Sequence, residues 1–287
     1  MDHHQTMRPD RKAEPATAAE PVLRTESLEV TYPNGSRALL GNSLNFREGE
    51  FTVLLGASGA GKSTLLRCLN GLVRPSAGRV FARDAGDLAD AHALHRHRCR
   101  TGMVFQQHHL IGRLSVLANV LTGRLGHHHP FATLLPPSRR EKELALAAID
   151  RVGLIDHALN RADQLSGGQQ QRVGVARALV QSPSILLADE PIASLDPATA
   201  ERLLALMHDI CRSDGLTAVL SLHQIAFAKT FADRIVGLAA GAIVFDGSPN
   251  QFSEDVAQRL YGNTVPARRE SPAPARISHH TSEGVPA

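Results

Sequence analysis

The chain has 287 residues, with 31 Lys and Arg against 28 Asp and Glu, so its formal net charge is only +3. This near balance gives no general attraction for nucleic acid, and the length suits one large domain or two small ones. The three cysteines, Cys68, Cys99 and Cys211, lie far apart, which argues against a disulfide framework or a zinc-ligand spacing and is typical of a reducing compartment.

The two ends of the chain and its longest apolar run indicate no segment that crosses a membrane. Residues 1–20 and 263–287 are rich in Ala, Pro and charge, which predicts that both are disordered. The start, MDHHQTMRPDRK, lacks the apolar stretch of a signal peptide. The run from Ile235 to Phe245 has eleven residues, whereas a spanning helix needs about 20. We therefore expect a chain that is soluble or held at a membrane by a partner.

Apolar periodicity and turn residues predict strands that alternate with helices. In chain order, the predicted elements are strands at 23–31, 39–46 and 50–55, a helix at 62–69, a strand at 102–105, a helical stretch at about 115–158, strands at 184–188 and 216–222, and closing strands at 235–236 and 242–245. Asp196 followed by Pro197 predicts a helix start with Asp as N-cap. The alternation predicts an α/β fold with a mixed, largely parallel sheet and an inserted helical section.

A glycine-rich loop lies between the predicted strand at 50–55 and the helix that follows it. Its sequence GASGAGKST matches the phosphate-loop pattern G-x-x-x-x-G-K-[ST] in full, in the strand–loop–helix context that the motif requires. Glycines let consecutive backbone N–H groups face phosphate oxygens, and the helix adds its positive end. Lys62 can reach the β- and γ-phosphates, and the Ser63 hydroxyl can bind Mg²⁺. The predicted nucleotide-binding residues here are Gly56, Ala57, Ser58, Gly59, Ala60, Gly61, Lys62, Ser63 and Thr64.

Two adjacent carboxylates follow the apolar segment ILLA. Asp189 is suited to hold Mg²⁺, directly or through water, and Glu190 is suited to polarise an attacking water as general base. An acidic pair at the end of a strand is by itself more often an ordinary loop feature. Beside a phosphate loop, the same pair predicts a nucleoside triphosphatase.

The segment LSGGQ, Leu165 to Gln169, stands directly before the predicted helix QQQRVGVARALV. With this segment the chain resembles the ATP-binding-cassette (ABC) ATPases over roughly residues 22–260. In that family the segment caps the γ-phosphate held by a second subunit, so the resemblance implies two copies that close head to tail around ATP. Ser166 would offer a hydroxyl, and Gly167, Gly168 and Gln169 would complete the contact at a positive helix end. The resemblance implies an antiparallel amino-terminal part, an ABC domain at 21–262 and a helical subdomain at about 107–180.

Four further positions match the family one by one. Gln106 in MVFQQ resembles the glutamine that reaches Mg²⁺ and water, and His223 in LSLHQ resembles the histidine that contacts the γ-phosphate. Asp196 in SLDP resembles the aspartate that couples the two sites, and Tyr32 resembles the aromatic residue that stacks on adenine. The implied catalytic residues are Glu190, His223, Gln106 and Lys62, and the implied Mg²⁺ ligands are Ser63, Gln106 and Asp189.

A single cassette without a long coiled coil is typical of bacterial binding-protein-dependent importers. The strings FQQ, DEPIASLDP and LHQ most resemble the ATPase subunit of phosphonate importers. Ala118 stands where an acidic residue is common, and His108-His109 stands where an aromatic residue and Asn are expected. The resemblance implies two copies docked on a permease dimer at the cytoplasmic face of the inner membrane, served indirectly by a periplasmic solute-binding protein.

Other interpretations stay open at this point: an importer of another solute, a soluble ABC ATPase acting on nucleic acid, or a subunit of a phosphonate-degrading enzyme complex. The basic run HRHRCR at 95–100 has no interleaved aromatic residues, which favours a solvated face over a nucleic-acid site. The histidines at 127–129 are consecutive and point in different directions, which disfavours a metal site. We therefore predict ATP and Mg²⁺ as cofactors and no nucleic-acid partner.

Overall fold

The computed structural model describes residues 20–107, 109–127 and 136–262. Its strands are β1 (Leu23–Thr31), β2 (Arg37–Phe46), β3 (Phe51–Leu55), β4 (Ala77–Ala82), β5 (Gly86–Asp87), β6 (Thr101–Val104), β7 (Ile185–Asp189), β8 (Thr217–Ser221), β9 (Arg234–Ala239) and β10 (Ala242–Gly247). Its α-helices are α1 (Lys62–Leu69), α2 (Ala91–Cys99), α3 (Val116–Leu121), α4 (Arg139–Arg151), α5 (Gly167–Leu179), α6 (Pro197–Asp214), α7 (Ile225–Phe231) and α8 (Glu254–Tyr261).

The described strands form two sheets. An antiparallel sheet has the order β2-β1-β4-β5, and a six-stranded sheet has the order β10-β9-β3-β8-β7-β6. In the larger sheet, β3 pairs in parallel with β8 and β9, β7 pairs in parallel with β6 and β8, and only β10 runs antiparallel. Each of the strands β3, β7 and β8 has five residues, and all of them are buried, as expected for parallel strands covered on both faces.

The hydrophobic core has two parts because neighbouring residues of the central strands point to opposite faces. Val53 and Leu55 of β3 face the part formed with α3 to α8, whereas Leu54 faces the part formed with the antiparallel sheet and α1. Both parts are densely apolar, and the carboxyl ends of β3, β7 and β8 emerge between them at one edge. That edge carries the residues that the sequence singles out.

The structure confirms the mixed α/β cassette and adjusts its elements. The antiparallel amino-terminal strands and the largely parallel sheet are both present. The antiparallel strands form a sheet of their own, in which β1 also pairs with β4, a strand that the sequence pattern does not predict. The stretch at 115–158 is not continuously helical: α3 ends at Leu121, a 3₁₀ helix covers Thr122–His127, and α4 begins after a capping box at Ser138. No helix within the described ranges is both long and apolar enough to span a bilayer. The disorder predictions for 1–20 and 263–287 concern residues outside the described ranges, apart from Glu20.

Candidate nucleotide site

The phosphate loop connects the buried end of β3 to the first residue of α1. Gly61 has φ +107°, and a Cβ there would lie 2.5 Å from the carbonyl oxygen of Ala38. Only glycine avoids both the strained backbone and this collision, so the chain can enter α1 tightly under β2. α1 begins at Lys62 with no side-chain cap, which leaves its first backbone N–H groups available to an anion.

Lys62 is folded over the loop that would hold the phosphates. Its Nζ donates hydrogen bonds to the carbonyl oxygens of Gly56 at 2.8 Å and Ala57 at 3.1 Å. Burial lowers the pKa of the Lys62 ammonium, and the charges of Glu190 and Asp189 oppose that effect. The ammonium is held at the loop, where phosphate oxygens would be stronger acceptors than the two carbonyls.

Asp189 is the buried acid of the site and is surrounded by hydroxyl groups. Ser63 Oγ donates to Asp189 Oδ1 at 2.7 Å, and Ser221 Oγ donates to the same oxygen at 3.0 Å. The guanidinium of Arg67, one turn along α1, lies 3.7 Å from Asp189 Oδ2. A hydroxyl and a carboxylate at this separation form the hard oxygen set that Mg²⁺ prefers, so these residues fit that ion.

Glu190 leaves the sheet in an unusual backbone conformation that aims its carboxylate at His223. Its φ is +47°, and its backbone N–H donates to Ser221 Oγ at 2.8 Å. His223 Nε2 lies 2.5 Å from Glu190 Oε1. A cavity of about 110 Å³ beside them is lined by Ile192, Leu222 and Gln224 as well as by the acid, the histidine and Ser221. The cavity is large enough for water, so the pair can hold and polarise a nucleophile.

The remaining residues predicted near the nucleotide lie at the margins of this edge. Tyr32 is half-buried, and its hydroxyl is 3.1 Å from that of Thr64. Gln106 is exposed two residues after β6. Among the loop residues, Ser58 and Gly59 are exposed, whereas Ala60 and Gly61 are buried.

The LSGGQ segment begins α5 but makes no described hydrogen bond to the phosphate loop of the same chain. Ser166 and Gln169 form a reciprocal capping box, and Ser166 and Gly167 are exposed. Gly168 packs against the start of α6, where a Cβ would lie 2.8 Å from Thr199 Cγ2. Asp196 caps that helix by accepting from the N–H of Thr199. The side-chain hydroxyl of Thr199 and then its N–H lower the pKa of the Asp196 carboxyl. Two helix starts thus lie side by side on an exposed surface.

Ser221 and Arg67 belong to the site, although the sequence reasoning did not single them out. The signal for Ser221 was available in LSLHQ, because Ser221 pairs directly with Asp189 across the parallel strands β8 and β7. The signal for Arg67 was its position four residues after Ser63, which places both on the same face of α1. Recognising either residue as part of the site requires knowing which strand and which helix lie beside β7.

The basic run at 95–100 lies within and just after α2 and is largely engaged by its own chain. Arg98 donates to the carbonyl oxygens of Asn70 and Gly71 at the end of α1, and Arg96 donates to the carbonyl of Ala85. His97 is buried, and its pKa is lowered by burial.

Within the described parts of the chain, no three His, Cys, Asp or Glu side chains form a group that could hold a metal ion. Most of the histidine run at 127–129, and also His108, fall outside those parts.

Comparison with known proteins decides the family. The model of the ABC transporter family matches residues 39–193, more than half of the chain. The chain belongs to the ABC transporter family. It therefore has an ATP-binding domain, and ATPase activity is consistent with this membership.

Individual ABC proteins resemble the chain over most of its length. It is 54% identical to the phosphite import ATP-binding protein PxtA of Stutzerimonas stutzeri, over 92% of this chain and 96% of the relative. It is 58% identical to the phosphonates import ATP-binding protein PhnC 2 of Cupriavidus metallidurans, over 87% and 90%. Among solved structures, a dimeric ATP-binding cassette in a post-hydrolysis state bound to ADP and Pi is 35% identical, with a TM-score of 0.68, over 79% of this chain and 98% of that one.

Proposed function

We propose that this chain is the ATP-hydrolysing subunit of a binding-protein-dependent importer that takes up phosphonates. The observation that carries the proposal is the 58% identity, over 87% of this chain and 90% of the relative, to an import ATP-binding protein for phosphonates. The acid–histidine pair beside the phosphate loop supports the hydrolytic part of the proposal. The substrate assignment rests on the relatives alone, because an ATPase subunit has no contact with the transported solute.

In the proposed mechanism, each residue at the carboxyl ends of the strands has a separate role in hydrolysis. Lys62 leaves the carbonyls of its own loop and donates to the β- and γ-phosphates. Glu190 accepts a proton from the attacking water, and His223 holds that carboxylate in place and donates toward the γ-phosphate. Ser63 and Asp189 would bind Mg²⁺ together with Gln106. The ion supplies charge neutralisation of the phosphate oxygens.

The proposed active form is a dimer in which two ATP sites are shared. Ser166, Gly167, Gly168 and Gln169 of one copy would cap the γ-phosphate held by the phosphate loop of the other. Asp196, at the neighbouring helix start, would connect the two sites, and Tyr32 would stack on adenine. Exposure of Ser166 and Gly167 in the single chain is consistent with this arrangement. We propose that residues 21–262 form this ATPase unit.

The proposed partner is a permease dimer at the cytoplasmic face of the inner membrane, which receives solute from a periplasmic binding protein. The helical subdomain at about 107–180 would contact the permease. It carries several large apolar side chains that are exposed in the single chain, namely Ile111, Leu114, Leu125, Ile155 and Leu159. Leu159 is the most exposed of these, at 80%.

Growth on a defined phosphorus source tests the function. A strain lacking this gene and any second phosphonate uptake system is complemented with wild type or with the Glu190→Gln variant. We expect wild type alone to restore growth on a phosphonate, while all strains grow on inorganic phosphate. Equal growth of the deletion strain on phosphonate would contradict the substrate assignment, and rescue by Glu190→Gln would contradict the ATP-driven role.

A second candidate solute is phosphite, favoured by the 54% identity to a phosphite import protein over 92% of the chain. The same strains grown on phosphite separate the two solutes. Rescue on phosphite without rescue on phosphonate would replace the main assignment, whereas rescue on phosphonate alone would exclude the second candidate.

A further inference from the structure

The last described helix, α8, ends beside the nucleotide site. It packs against β9, where a Cβ at Gly237 would lie only 2.9 Å from Leu260 Cδ2. Val256 and Leu260, which share one face of α8, are both almost fully buried. This packing fixes the end of the helix and with it the direction of Tyr261, the next residue.

The hydroxyl of Tyr261 connects two loops that flank the phosphate position. It donates a hydrogen bond to the backbone carbonyl of His223 at 3.2 Å, and a backbone hydrogen bond from Gly56 reaches the same phenol. Burial raises the pKa of Tyr261 by more than the Gly56 contact lowers it, so the phenol is protonated and can donate at neutral pH. One side chain therefore joins the loop after β8 to the first residue of the phosphate loop.

We propose that Tyr261 is a positioning residue for ATP hydrolysis, and this inference rests on the proposed ATPase function. Its hydrogen bond holds the backbone of His223, and thereby keeps the imidazole 2.5 Å from Glu190. The residue before His223 is anchored independently, because Leu222 is buried and its N–H donates to the carbonyl of Leu54. Beyond that anchor, Tyr261 restrains the carbonyl side of His223 and so limits how the imidazole can swing.

Two substitutions at opposite ends of α8 separate positioning from simple support of the helix. Tyr261→Phe removes only the hydroxyl and keeps the packed ring. Ser253→Ala removes the N-cap, whose hydroxyl accepts from the N–H of Val256, and leaves both site loops untouched. Loss of an N-cap weakens a helix, so Ser253→Ala should lower the urea midpoint more than Tyr261→Phe does.

The purified proteins are compared for steady-state ATP hydrolysis well below their unfolding midpoints. We expect Tyr261→Phe to lower kcat about 3- to 10-fold, the range that the loss of one neutral hydrogen bond corresponds to, with KM for ATP unchanged. Ser253→Ala should keep the wild-type kcat. If both variants lose activity in proportion to their loss of stability, or if Tyr261→Phe hydrolyses ATP like wild type, the inference is overturned.

A spectroscopic measurement makes the test independent of turnover. The ring signal of His223, assigned by its loss in His223→Gln in histidine-labelled protein, is recorded for wild type and both variants. We expect its chemical shift to change in Tyr261→Phe and to stay constant in Ser253→Ala. An unchanged His223 signal in Tyr261→Phe would overturn the inference even if wild type proved inactive, whereas inactivity of wild type alone would count only against the proposed function.

Discussion

Asp189 and Glu190 are consecutive, yet their surroundings equip them for different chemistry. The Asp189 side chain is 4% exposed and accepts hydrogen bonds from two hydroxyl groups. Its carboxylate is therefore fixed in place and largely shielded from solvent. Glu190 turns out of the sheet through a left-handed backbone conformation that costs a non-glycine residue about 1 kcal/mol or more. The Ser221 hydroxyl holds both residues, since it donates to Asp189 and accepts from the N–H of Glu190.

At the scale of single residues, we expect Glu190→Gln to abolish most ATP hydrolysis without weakening ATP binding. A general base contributes about 10²–10⁴-fold, which is about 3–5 kcal/mol of barrier, and the amide cannot accept the proton of water. Phosphate release and nucleotide affinity would be measured side by side on the purified variant. Turnover within tenfold of wild type would show that another group is the base.

At the scale of single elements, two glycines at α5 differ in the space around them. One lies inside α5, and the other lies in the 3₁₀ helix that packs against it. A Cβ at Gly174, inside the helix, would meet no atom within 4 Å, whereas a Cβ at Gly123 would lie 2.2 Å from the carbonyl oxygen of Arg177. The first glycine lowers helix stability with no packing reason, and the second allows the 3₁₀ helix at Thr122–His127 to approach α5 closely.

We therefore expect Gly174→Ala to raise the free energy of unfolding by about 0.5–1 kcal/mol, the usual gain inside a helix. Gly123→Ala should lower it by about 1–3 kcal/mol, because the methyl group must displace backbone. Urea unfolding followed by circular dichroism would give both values. A stabilised Gly123→Ala variant would mean that the two elements are not in the close contact described.

At the scale of the whole molecule, the LSGGQ segment makes no described hydrogen bond to the phosphate loop of its own chain, which is consistent with the proposed shared site. We expect Glu190→Gln to form a dimer in the presence of ATP, because hydrolysis no longer reopens the closed state. Adding Gly167→Arg should abolish that dimer. Gly167 is exposed and a Cβ there meets nothing within 4 Å, so the single chain should fold normally.

Light scattering after size-exclusion chromatography, with and without ATP, would measure both states. Glu190→Gln combined with Gly174→Ala, a change inside the same helix, is the matched control and should still dimerise. A dimer that forms without ATP, or one that survives Gly167→Arg, would place the contact between copies elsewhere.

The sequence by itself determined the family and the residue types of the proposed chemistry. GASGAGKST, the acidic pair after ILLA and LSGGQ are each contiguous, and their local strand–loop–helix context is readable from neighbouring residues. The N-cap at Asp196 and the helix at 62–69 were predictable for the same reason, since both depend on interactions within one turn.

Only the tertiary structure decided which residues surround those motifs. Ser63 and Asp189 are 126 residues apart, and their contact, like those of Ser221, Arg67 and Tyr261, depends on strand order and helix packing. The membership of β4 in the antiparallel sheet has the same origin, because β4 is recognised by its pairing with β1 and β5. Local patterns encode elements and motifs, whereas contacts between distant segments arise from burial of apolar surface by the whole chain, which no single segment specifies.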